Sequence, residues 1–167
     1  MDCQLLPGAK MIFGTVYRIL DNGIHDKFSI ESLFANKRVL VFGGPAPFSK
    51  LDTQQAIEYA GLGADILKHV DVIYGIYCQD AFVMKKFAEH VEQAVPNSPV
   101  VFYGDGDAFF IKNHQLEHDF TFQGLGIRSG RYAFVVKNHI IEHVALDEYQ
   151  LIENTSAEEL LKWLKSN

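Results

Sequence analysis

Two apolar runs constrain this chain more than any other feature. "RVLVFGG", from Arg38, and "VDVIYGIYC", from Val70, are almost continuous in β-branched and aromatic residues. A strand that shows one face to water alternates apolar with polar residues, so unbroken runs belong to strands covered on both faces. Each run leads through a turn into a helical pattern. Asp52 to about Lys68 repeats Ala56, Tyr59, Ala60 and Leu62 near helical spacing, with Gly61 and Gly63 weakening it. Asp80 is a good helix cap for "AFVMKKFAEHVEQAV", whose stripe is Phe82, Val83, Phe87, Val91 and Val95.

The remaining segments complete an alternating pattern. "GTVYRIL", from Gly14, is predicted as a strand with a turn at Asp21-Asn22-Gly23, and "SIESLFANK" as a short helix capped by Ser29 or Ser32. "VVFYGD" is a further strand. "RYAFVV" and "HIIEHVAL" form a hairpin about Lys137-Asn138, and "TSAEELLKWLKSN" is an amphipathic helix with Ser156 and Glu159 at capping-box spacing. Strands separated by helices, then a hairpin, then a helix predict an α/β chain: a thioredoxin-like fold with a central mixed β-sheet flanked by helices. Without repeats or a linker, residues 1–167 are expected to form one domain, with 1–10 a mobile N-terminal tail.

A net charge of −6 argues against nucleic acid as a partner. Two cysteines, Cys3 and Cys78, are too few for a disulfide framework and suit a reducing compartment. The start "MDCQLLPGAK" lacks a signal-peptide pattern, and no apolar run approaches the ~20 residues that span a bilayer. A cytoplasmic protein without membrane contact is expected.

Between the first buried strand and its helix lies "GGPAPFSKLDT", Gly43 to Thr53. It holds no Cys, no His and no phosphate-binding glycine pattern, but it places Asp52 where the helix should begin, as a cap. Together with "LFANKRVLVFGGPAPF", "DAFVMKKF", "YGDGDAFF" and "LGIRSGRYAFVV", this stretch resembles the peroxiredoxins, in particular the type V subgroup of the Redoxin group. The likeness runs in order from about Gly14 to the last helix.

In that family the turn reads P-G-A-F-T-P-x-C-S, and its Cys is the nucleophile that attacks peroxide. The attacking species is a thiolate, favoured by a helix N-terminus and an Arg. The resemblance puts Pro45 and Phe48 on matching positions, Ser49 on the Thr, Lys50 on the second Pro, Thr53 on the Ser and Asp52 on the Cys. It further implies Arg131 as the active-site Arg and Arg128 as its support. Sulfur chemistry is thereby lost at position 52, because a carboxylate cannot pass through a sulfenic acid. The negative charge is kept at the positive end of a helix and opposite Arg131.

A binding or regulatory protein without peroxidase activity is therefore expected, with a thiol peroxidase working through a displaced thiol, Cys78 or Cys3, as the rival. The resemblance implies a homodimer and no cofactor. A small polar ligand at the Asp52 site, or an active peroxiredoxin as partner, is the expected kind of contact. Hydrolysis at Asp52 and Arg131 would need a further acid or base. Other patterns carry less. Cys78 reads as a small buried hydrophobe, and no C-x-x-C is present. His114 and His118, and His139 and His143, are four apart but read as solvated and not as metal ligands, and "GDGD" from Gly104 is a turn without the rest of a calcium loop.

Overall fold

The computed structural model describes residues 5–148 and 150–167. In chain order the elements are β1 (Thr15–Ile19), β2 (His25–Ser29), α1 (Ile30–Phe34), β3 (Arg38–Gly43), α2 (Lys50–Gly61), α3 (Gly63–Ile66), β4 (Val72–Tyr77) and α4 (Ala81–Ala94). They continue with β5 (Val100–Gly104), α5 (Phe109–Asn113), β6 (Glu117–Asp119), β7 (Ile127–Ser129), β8 (Arg131–Lys137), β9 (Ile140–Asp147) and α6 (Ala157–Ser166). Among the described residues seven strands make one sheet, ordered β2-β1-β5-β4-β3-β8-β9, and β6 pairs with β7.

The two apolar runs are β3 and β4, and they lie side by side, parallel, at the centre of that sheet. Antiparallel β8 covers the other edge of β3, and parallel β5 that of β4. Alternate residues of each central strand feed opposite cores. Leu40 and Phe42 pack with Ala56 of α2, Phe87 of α4 and Leu160 of α6. Val39 and Val41 pack with Phe34 of α1 and Phe110 of α5. Burial on both faces is what the missing polar alternation requires.

Several local features differ from the sequence reading. The helix expected from Asp52 to Lys68 begins at Lys50 and breaks at Leu62 into α2 and α3. A Cβ on Gly63 would stand 2.3 Å from Pro99, so the break is also a place of close approach that only glycine allows. On α4 the buried stripe is Ala81, Met84, Phe87 and Val91, while Phe82 is 65 % exposed and stacks with His25. The β8–β9 turn falls on Asn138-His139, both with positive φ, the geometry a two-residue hairpin needs. The described part of the N-terminal stretch begins at Leu5. Its Gly8 N–H donates to Ile141 O (2.7 Å) and Met11 N–H to His139 O (2.7 Å), which lays it along β9.

Candidate functional site

The turn after β3 is built around one carboxylate. Asp52 is the third residue of α2, not its cap; the cap is Ser49, whose Oγ accepts the Asp52 N–H at 3.2 Å. The same hydroxyl donates to Asp52 Oδ2 at 2.9 Å, and the Ala46 N–H donates to that oxygen at 3.1 Å. Arg131 Nη1 lies 3.0 Å from Asp52 Oδ1. Asp52 and Arg131 are each 1 % exposed, so the pair is closed off from water. A carboxylate in the first turn of a helix is favoured by the helix dipole, and a buried charge persists only when paired and hydrogen-bonded.

The surrounding turn is held in place from β7. Ser129 Oγ donates to Gly44 O (3.0 Å), and Arg128 donates through Nη1 to Pro45 O (3.1 Å) and through Nε to Leu125 O (3.0 Å). Arg128 thus fixes the turn and leaves the charge of Asp52 to Arg131. Gly44 is fixed by space: a Cβ there would stand 1.9 Å from Asp52 Oδ1. Pro45 is buried. Phe48 has a φ of +70° and is 49 % exposed, with its ring edge-on to Phe87 at 5.3 Å.

A second tier of the site was not read from the sequence. Arg131 Nη1 also donates to Gln55 Oε1 at 2.8 Å. Gln55 Nε2 donates to Thr155 Oγ1 (2.9 Å) and to Thr155 O (3.2 Å), and Tyr59 Oη donates to that carbonyl at 2.6 Å. Gln55 and Thr155 are both fully buried. One signal was available: Gln55 stands three residues after Asp52, on the same face of α2.

The thiol is elsewhere. Cys78 follows β4, half-buried, with its Sγ 3.8 Å from Ile127 O. Burial pushes this thiol up, the Asp105 carboxylate adds to that, and Arg128 and Lys112 pull the other way without cancelling it. Cys3 lies outside the described residues. The "GDGD" turn buries Asp105, which accepts the N–H groups of Phe110 (3.0 Å) and Ile111 (3.1 Å) at the start of α5. Burial raises its carboxyl to about 6, against the pull of those amides.

Two of the four paired histidines are not solvated as expected. His114 is buried: its Nδ1 donates to Phe110 O (2.8 Å), which leaves Nε2 to accept the Ile12 N–H (3.0 Å). Burial holds its pKa down. His143 stacks on Trp163 at 4.5 Å and is likewise lowered by burial. His118 is exposed, and His139 Nε2 donates to Glu31 O at 2.8 Å. Among the described residues no group of three His, Cys, Asp or Glu is placed to hold a metal ion, and no helix is long and apolar enough to cross a membrane.

The chain as a whole is similar to known proteins in sequence and fold. The chain is similar to peroxiredoxin-2C of Oryza sativa subsp. japonica, 34 % identical over 138 residues that cover 81 % of this chain and 83 % of the relative. It is 29 % identical to peroxiredoxin-2D of Arabidopsis thaliana over 153 residues, 90 % and 93 % of the two chains. Reduced Prx3 of Vibrio vulnificus in complex with hydrogen peroxide superposes with a TM-score of 0.88 at 28 % identity, over 96 % of this chain and 99 % of that one. No family model matches. The fold is thioredoxin-like, as its helix-flanked mixed sheet implies. The chain belongs to the peroxiredoxin family.

Proposed function

We propose that this chain is a peroxiredoxin-fold protein without thiol peroxidase activity, in which Asp52 stands where the family keeps its nucleophilic sulfur. Its role is then binding or regulation. Thiol-based peroxide reduction transfers one peroxide oxygen to a thiolate and releases water or an alcohol, and a further thiol then reduces the sulfenic acid and releases that oxygen as water. The reading is carried by one observation: three donors converge on a carboxylate at the head of α2. Ala46 N–H, Ser49 Oγ and Arg131 Nη1 point at the two oxygens of Asp52 and at no sulfur. Asp52 reproduces the charge of a thiolate at that point and holds the turn, Arg131 and α2 in the arrangement a charged nucleophile would.

The rival, a peroxidase using Cys78, is disfavoured by its surroundings. Activated thiols sit beside cations or helix N-termini that lower their pKa, whereas Cys78 is shifted upward by burial. Placement in the type V subgroup, a cytoplasmic location and homodimerisation belong to the same proposal and rest on the family likeness and the low cysteine count. The direct test is Asp52→Cys. A site that kept the apparatus around position 52 gives this variant peroxide-dependent sulfenic acid formation. A variant that is inert to peroxide, with a thiol pKa near the ordinary value of about 8.5, means that the site has decayed beyond the nucleophile and overturns the reading of Asp52 as a stand-in for a thiolate.

A further inference from the structure

Asp147, the last residue of β9, lies directly across from Arg131, the first residue of β8. Its carboxylate gathers the turn that leads into α6. Oδ2 accepts the N–H groups of Glu153 (2.9 Å) and Thr155 (2.8 Å) and the hydroxyl of Thr155 (2.8 Å). Oδ1 accepts Asn154 N–H and Nδ2, both at 3.0 Å. Hydrogen bonds from the Thr155, Glu153 and Asn154 amides hold Asp147 below the usual carboxylate range despite its desolvation.

The direction of the Thr155 hydroxyl bond depends on that acceptor. An ionised carboxylate can only accept, so the single hydroxyl proton of Thr155 is committed to Asp147. Thr155 Oγ1 must then accept from its other neighbour, Gln55 Nε2 at 2.9 Å, which also donates to the Thr155 carbonyl at 3.2 Å. With its amide nitrogen turned to Thr155, Gln55 presents Oε1 to Arg131 Nη1 at 2.8 Å. The same Nη1 reaches Asp52 Oδ1 at 3.0 Å. Five residues therefore form a chain of fixed polarity from a partly exposed carboxylate to a buried ion pair.

We propose that Asp147 is a positioning residue for the buried site: through Thr155 and Gln55 it sets how Arg131 is presented to Asp52. The proposal rests on the reading of Asp52 and Arg131 as the functional pair, and it makes the turn after β9 the place from which that pair is controlled without being touched. Reversing the Gln55 amide would set Nε2 against the guanidinium, donor against donor, so the chain has one stable sense.

Side-chain NMR of the reduced protein tests this without reference to any activity. In Asp147→Asn, the Gln55 side-chain amide and the Arg131 guanidinium resonances are expected to move together, while the amides of β4 and β5 keep their positions and report an intact sheet. Thr155→Val, which removes the hydroxyl, is expected to reproduce the effect, and Thr155→Ser to restore the wild-type spectrum. Unmoved Gln55 and Arg131 signals in both Asp147→Asn and Thr155→Val would overturn the proposal. An inert Asp52→Cys protein with the expected shifts would instead remove the site reading and leave the positioning chain standing.

Discussion

The ends of β3 and β4 are neighbours in one parallel pair, and each opens through a turn into a helix, yet they are equipped in opposite ways. Past β3, residue 52 receives a backbone amide, a serine hydroxyl and a guanidinium, all aimed at one carboxylate. Past β4, residue 78 is a sulfur whose near contact is the Ile127 carbonyl at 3.8 Å. The first place has the means to stabilise a negative charge and no sulfur. The second has sulfur in surroundings that oppose its ionisation. Topology offers two strand ends for chemistry, and electrostatics separates them.

This contrast can be broken most forcefully at Arg131. Removing one member of a buried ion pair leaves the other charge uncompensated, at a cost of about 3–5 kcal/mol. Arg131→Met is expected to lose that much in denaturant unfolding and about 10 °C in Tm. A loss under 1 kcal/mol would show that the pair is not what holds this end of β3.

Asp105, which borders Cys78, supplies a pH effect. Its folded-state value of about 6 lies above the ordinary 3.8, so the fold favours its protonated form. The stability this contributes, on the order of 3 kcal/mol, is complete below about pH 4 and is lost as pH rises through about 6. Asp105→Asn is expected to gain on the wild type between pH 4 and 7. His114 acts in the opposite sense: held neutral by burial, it contributes stability above its unfolded value, which is lost as pH falls. A difference between Asp105→Asn and wild type that stays constant from pH 4 to 7 would contradict the burial argument.

Smaller effects sharpen the picture. Ser49→Ala removes the α2 cap and a donor to Asp52 and is expected to cost about 1 kcal/mol by chemical denaturation. Phe82→Ser, on the outward face of α4, is expected to change stability by less than about 0.5 kcal/mol. A larger loss there would mean that the stack with His25 bears on the core.

The sheet was legible because β3, β4 and β8 need apolar residues on both faces, and such runs survive in the sequence as unbroken Val, Ile, Leu, Phe and Tyr. β2 was missed: "HDKFS" carries one large apolar side chain, and pairing with β1 rather than burial makes it a strand. α5 was missed because it starts from Ala108 in a left-handed conformation with no side-chain cap of its own, its amides being taken by Asp105. At the site, Asp52, Arg131 and Arg128 were legible through the turn motif and "RSGRY". The cap lies three residues before Asp52, at Ser49, and "SKLD" carries the Ser-x-x-Asp spacing that marks it. Gln55 and Thr155 stand 100 residues apart, and no local pattern announces a contact that only the packing of α6 against α2 creates.

Peroxide consumption by the fully reduced protein, with dithiothreitol as electron donor, bears most directly on the separation of sulfur from its apparatus. The wild type is expected to consume hydrogen peroxide no faster than a variant in which both Cys3 and Cys78 are Ser. Turnover clearly above that control, abolished by Cys78→Ser, would contradict the account and make the end of β4 the active site.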